Sequence, residues 1–80
     1  MELLEIKKMI RDYLSSSFHL NLKDDSSNIF ESGGINSLFF IQLLVFIEKN
    51  FNLQLQEGEF DIRSLTSVNA ISEFLLNKLS

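Results

Sequence analysis

From Leu38 to Ile47 the chain runs through ten residues of which only Gln42 is polar. Such a run is far shorter than the roughly 20 apolar residues of a membrane-spanning helix, so other parts of a folded chain must cover it. Periodicity alone does not separate helix from strand here, because the run is apolar nearly all round and holds several good strand formers. Its length and the residues before it favour a helix. Gly33-Gly34 breaks the chain, and Asn36 or Ser37 then offers a side-chain oxygen that caps a following helix. We expect this helix to reach about residue 50. Stepping by about 100° per residue puts Phe40, Ile41, Leu44, Ile47 and Phe51 on the core side. Phe39, Gln42, Phe46 and Lys49 fall opposite, with Leu38 and Val45 at the edge.

The flanking segments supply the cover. Residues 2 to about 15 place Leu3, Ile6, Met9, Ile10, Tyr13 and Leu14 at three- and four-residue intervals, which reads as an amphipathic helix. A long connection, residues 16 to 36, is rich in Ser, Asn, Asp and Gly but is pinned by Phe18, Leu20, Leu22, Ile29 and Phe30. After a loop at 51–56, residues 57–61 suit a single helical turn. Ser67 then caps a last helix with Val68, Ile71, Leu75 and Leu79 inward and Ala70 and Phe74 beside them. The expected fold is an all-α four-helix bundle of three main helices and one short one, with a long loop between the first two. Residues 1–80 form a single domain with no internal repeat or proline.

Composition removes several function classes. The chain has no cysteine, so disulfides and Cys-based zinc sites are excluded, and the lone His19 cannot build a metal cage unaided. Any thiol chemistry must arrive with a cofactor. The net charge is −4, and the basic residues Lys7, Lys8, Arg11, Lys23, Lys49, Arg63 and Lys78 are scattered, which leaves no nucleic-acid footprint. The acidic start Met-Glu-Leu-Leu-Glu is unlike a signal peptide. We expect a cytoplasmic monomer without a membrane span.

Gly34-Ile35-Asn36-Ser37-Leu38, directly after a long loop and directly before an apolar helix, resembles the Gly-x-Asp-Ser-Leu signature of acyl and peptidyl carrier proteins. Asn28-Ile29-Phe30-Glu31 resembles the short apolar leader of that family, and Ile47-Glu48-Lys49-Asn50-Phe51 the end of its second helix. Glu59-Phe60 and Ser67-Val68-Asn69-Ala70-Ile71 resemble its third and fourth helices, so the likeness covers residues 1 to 79.

The resemblance implies a non-enzymatic carrier with 4'-phosphopantetheine, taken from coenzyme A, on Ser37; from the Met1 start and the absence of linker sequence we expect a free-standing protein, with a cloned fragment as the alternative. Gly34, Asn36 and Leu38 then frame the attachment point. Implied partners are a phosphopantetheinyl transferase using magnesium, an acyl- or aminoacyl-loading ligase or acyltransferase, and a downstream synthase or transferase of fatty acid, polyketide or nonribosomal peptide metabolism. Leu38, Phe39, Gln42, Val45 and Phe46 are the expected partner-binding face. The family usually has Asp before the serine. Asn36 keeps the capping shape and removes a charge the transferase could read.

Three other readings compete with this one. A helical interaction module would use Ser37 only as a cap. A small DNA-binding domain would need a basic recognition helix, and an enzyme would need a nucleophile, a base and an orienting group that can be named together. His19, between Phe18 and Leu20, reads as a loop or surface residue. Asp24-Asp25-Ser26-Ser27 lacks the alternating oxygen spacing of a calcium loop and reads as a solvated turn. Glu57, Glu59 and Asp61 read first as charged surface and second as a docking patch for basic partners.

Overall fold

A computed structural model describes residues 2–20, 22–31, 36–56 and 58–79, with Ser37 described through its backbone alone. Among these residues the chain is all helical: α1 (Leu3–Phe18), α2 (Ser37–Phe51), a short 3-10 turn (Ile62–Ser64) and α3 (Val68–Leu79).

α1 buries Ile6, Ile10 and Leu14, one residue per turn along one stripe. It runs on to Phe18, past the end expected near residue 15. The stop is a left-handed His19 (φ 55°), whose N–H donates to the Ser15 carbonyl at 3.1 Å while the Leu20 N–H reaches back to Leu14 at 3.3 Å. Glycine usually fills that position, so a histidine there gives no readable stop signal. Leu20, buried just beyond, anchors the closure.

α3 begins where the sequence places it. The Ser67 hydroxyl accepts from the Ala70 N–H at 3.1 Å, and Val68, Ile71 and Leu75 point into the core. Leu79, expected inside, is 37% exposed as the last residue of α3. α1 and α3 pack against each other, and Ser72 of α3 is fully buried.

α2 lays Phe40, Leu43, Ile47 and Phe51 into the same core, joined by Leu20, Leu22, Ile29 and Leu65 from the connections. Its inward face is rotated from the expected one. Leu43 is fully buried, whereas Ile41 is 57% exposed. The single-turn element is also displaced, from 57–61 to Ile62–Ser64. Gly58 takes a positive φ of 91°, which no right-handed helix accommodates, and the Asp61 carboxylate accepts from the Arg63 N–H at 2.9 Å, starting the turn there.

The Ser72 hydroxyl has no hydrogen-bond partner. A buried hydroxyl in that state costs about 1–3 kcal/mol. Ser72→Ala should therefore stabilise the fold by about 1 kcal/mol and raise the thermal midpoint by about 4–8 °C. An unchanged or lower midpoint in a calorimetric scan would refute this account of the site.

Candidate functional site

The head of α2 is fixed from both sides of the motif. Upstream, Asn28 Oδ1 accepts from the N–H groups of Phe30 (2.8 Å) and Glu31 (3.2 Å), folding 28–31 into a turn. Ile29 is fully buried, and its N–H donates to the Thr66 carbonyl at 2.8 Å, which ties the turn to the approach of α3. The Phe30 ring lies 5.6 Å from that of Phe40 in the first turns of α2. The expected leader is thus a built anchor for the site.

Downstream, Asn36 is extended (φ −110°, ψ −175°), and its Oδ1 accepts from Leu38 N–H at 3.0 Å and Phe39 N–H at 3.1 Å. Its carbonyl accepts the first helical bond, from Phe40 N–H at 2.9 Å. Asn36 is therefore the N-cap, and Ser37 is the first residue of α2. Both Asn36 and Leu38 are exposed, and the first turn carries no acidic residue. The Ser37 side chain and Gly34 lie outside what is described.

The structure gathers only part of the expected partner face. Leu38, Gln42 and Val45 are exposed on one face, as read from the sequence. Phe39 and Phe46, expected opposite the core, are half-buried against α1: Phe39 meets Phe18 edge-on at 5.4 Å, and Phe46 stacks on Tyr13 at 3.9 Å. The exposed apolar stripe is instead Leu38 (64%), Ile41 (57%) and Val45 (50%), with Gln42 and Lys49 along it. Gln42 and Lys49, the polar residues of that helix half, mark its outward line; Ile41 was missed because an almost uniformly apolar pattern leaves the rotation of the helix loosely defined.

Other polar residues are taken up by the fold. Hydrogen bonds from the Ser26 hydroxyl first, then from its backbone N–H, hold the Asp24 carboxyl below its usual value, and Asp25 pairs with Arg11 of α1. The Asp25 carbonyl accepts from Asn69 N–H of α3 at 2.9 Å, so this turn clasps both outer helices. Neither the Arg11 pairing nor the Ile29 bond to Thr66 left a signal in the sequence. Glu59 pairs with Lys78 and Asp61 with Arg63, which draws two of the three suspected docking carboxylates into internal contacts; Glu57 lies outside the described residues. Among the described residues no cluster of three or more His, Asp or Glu could hold a metal ion, and no helix is long and apolar enough to cross a membrane.

Removing the Asn36 oxygen should cost about 0.5–2 kcal/mol of stability in Asn36→Ala, whereas Asn36→Asp should match or exceed the wild type, because a carboxylate also caps and its charge suits a helix N-terminus. Chemical denaturation of the three proteins tests the order. An alanine variant as stable as the wild type would remove Asn36 as the organiser of the site.

A family model described as a phosphopantetheine attachment site matches residues 5–75, taking in α2 whole and most of α1 and α3. No curated protein matches the chain.

Proposed function

Since the chain belongs to the phosphopantetheine attachment-site family, whose members bear 4'-phosphopantetheine covalently on a serine, we propose that Ser37 is that serine and that the protein is an acyl or aminoacyl carrier. Domains of this family are generally non-catalytic, and the reading here is of a carrier that contributes reach and identity while its partners do the chemistry.

The observation that carries the assignment is the Asn36 cap, which makes Ser37 the first residue of a helix flanked by exposed neighbours. The surroundings suit the group. A phosphodiester at that position sits by the positive end of the helix dipole, with no carboxylate in the first turn to repel it. The arm's thiol supplies the thioester linkage that the cysteine-free chain lacks. Partners follow from this chemistry: a phosphopantetheinyl transferase that moves the group from coenzyme A to the serine oxygen, a loading ligase or acyltransferase, and a downstream synthase or transferase.

Incubation with coenzyme A, magnesium and a broad-specificity transferase should add the mass of one phosphopantetheinyl group to the wild type and none to Ser37→Ala, whose helical content stays intact. Asn36→Asp should be modified at an equal or higher rate. Modification persisting in Ser37→Ala, or failing in the wild type with several transferases, would reject the assignment in favour of a helical interaction module in which Ser37 only starts a helix.

The partner face is the stripe of Leu38, Ile41 and Val45 with Gln42. Exposed apolar residues in such a row mark an interaction surface more than a folding requirement. Ile41→Ser and Val45→Ser should melt within a few degrees of the wild type while slowing acyl loading or transfer. Phe46→Ser, which removes the half-buried ring stacked on Tyr13, should lose about 1–1.5 kcal/mol of stability, roughly half the value of a fully buried Phe. Normal transfer rates in both stripe variants would place docking elsewhere. Salt should affect the rate weakly, since Leu38, Ile41, Gln42 and Val45 carry no charge.

A further inference from the structure

α2 holds two apolar lines outside its buried stripe. One is aliphatic, Leu38, Ile41 and Val45, and is exposed. The other is aromatic, Phe39 and Phe46, and is half-buried. Hydrophobic periodicity favours the opposite arrangement: at about 100° per residue, a core of Phe40, Ile41, Leu44, Ile47 and Phe51 turns the aromatic line outward. The observed core of Phe40, Leu43, Ile47 and Phe51 differs from that one by a rotation of roughly 40° about the helix axis. Such a rotation exchanges the line that faces solvent, and a helix apolar nearly all round does little by itself to choose between the two.

The choice is made from α1. Phe39 meets Phe18 edge-on at 5.4 Å, Phe18 meets Tyr13 edge-on at 5.5 Å, and Tyr13 stacks on Phe46 at 3.9 Å with 19° between the planes, so four rings form an unbroken run along the seam. Tyr13 has the central place in it. Its ring touches both Phe18 and Phe46, and its hydroxyl donates to the backbone carbonyl of Gln42 at 3.3 Å. Because that acceptor is backbone, the bond senses the rotation of α2 and not a side-chain rotamer. A turn of roughly 40° shifts a backbone atom at a radius of about 2.3 Å by roughly 1.6 Å. In the sense that turns Phe46 outward, the shift carries the Gln42 carbonyl out of hydrogen-bond range and the Phe46 ring off its stack.

Resting on the reading of Leu38, Ile41 and Val45 as the partner face, we propose that Tyr13 of α1 is a positioning residue for docking: it captures Phe46 and fixes the rotation of α2, so that partners meet an aliphatic face and not the aromatic one. Tyr13 acts through α2. The start of that helix is set separately by the Asn36 cap, so losing the Tyr13 ring changes what a partner binds and leaves the setting of Ser37 in place.

The test compares the full wild-type chain with Tyr13→Leu and Tyr13→Phe, each checked for helicity by circular dichroism. A soluble nitroxide probe reads the exposure of side-chain protons by NMR. In the wild type it should relax the Ile41 and Val45 methyls strongly and the Phe46 ring weakly. Tyr13→Leu should cut the Ile41 effect by about half and raise that of the Phe46 ring, whereas Tyr13→Phe, which keeps the stack, should hold the wild-type pattern. With coenzyme A and a broad-specificity phosphopantetheinyl transferase, Tyr13→Leu should raise the KM for the carrier roughly five-fold and leave kcat within about two-fold. Ile41→Ser should raise KM similarly, and adding it to Tyr13→Leu should raise KM little further, since both act on one face. If Tyr13→Leu does not fold, Phe46→Leu removes the same stack from the α2 side and should expose the side chain at 46 and shield Ile41 in the same way. Unchanged Ile41 exposure in the folded variant overturns the proposal, even with a raised KM, because Tyr13 would then be a direct contact of the partner. Fully additive KM effects, or a fall in kcat alone, also overturn it. No mass gain in the wild type overturns the attachment reading instead, and the exposure pattern still decides whether Tyr13 sets the rotation of α2.

Discussion

A helix that is apolar nearly all round needs cover on every side, and α2 has only two other helices and the connecting loops to supply it. At 80 residues the chain is small, and a small domain buries a limited share of its surface. The allocation is visible in the residues. Phe40, Leu43, Ile47 and Phe51 receive full cover, Phe39 and Phe46 receive half from the Phe18 and Tyr13 rings, and Leu38, Ile41 and Val45 receive little. The stripe left over begins beside Ser37. With Ser37 as the proposed attachment residue, the uncovered part of the helix lies next to the arm's root, so a partner that covered the stripe would also meet the arm there.

The same shortage of cover explains which features could be read in the sequence. Caps are local, made by one side chain reaching the next two or three residues, and Asn36 and Ser67 were legible as such. The leader of Asn28 to Glu31 was legible too, through its resemblance. What escaped depends on contacts distant in sequence or on degenerate patterns. The left-handed His19 ends α1 without glycine, and Gly58 with Asp61 moves the short turn downstream. The rotation of α2 could not be set by hydrophobicity when nearly every position is hydrophobic; what sets it is the fit of Leu43 against the core and of Phe46 against Tyr13. Ser72, polar by type, is fully buried in α3.

The long first connection is held by three bonds that reach different elements. Arg11 of α1 pairs with Asp25, the Asp25 carbonyl takes the Asn69 N–H of α3, and the Ile29 N–H reaches Thr66. Two of the three end on or just before α3, so the turn preceding the motif moves with α3 as well as with α1. The Arg11–Asp25 pair is part-exposed and is worth little as an isolated ion pair. Its effect is positional: it holds the Asp25 backbone where the Asn69 bond can form. The described turn at 28–31 is thus tied through Ile29 to the approach of α3, and the start of α2 is fixed by Asn36.

Charge separates two surfaces of the molecule. The chain is acidic overall, yet several carboxylates are occupied internally: Asp25 by Arg11, Asp61 by Arg63, Glu59 by Lys78, and Glu48 by the Leu55 N–H at 2.9 Å. The last of these matters most for recognition. Glu48 is one of the two charged residues of α2, and its Oε2 accepts from the chain leaving that helix, so both ions of α2 lie at the end away from Ser37. Partners that find this face through long-range attraction to a negative helix have little to attract them. On the proposed face, encounter would be governed by contact area and desolvation, and discrimination among partners would fall to shape, above all to how a partner accommodates Ile41 and Val45 beside the stacked Tyr13 and Phe46 rings.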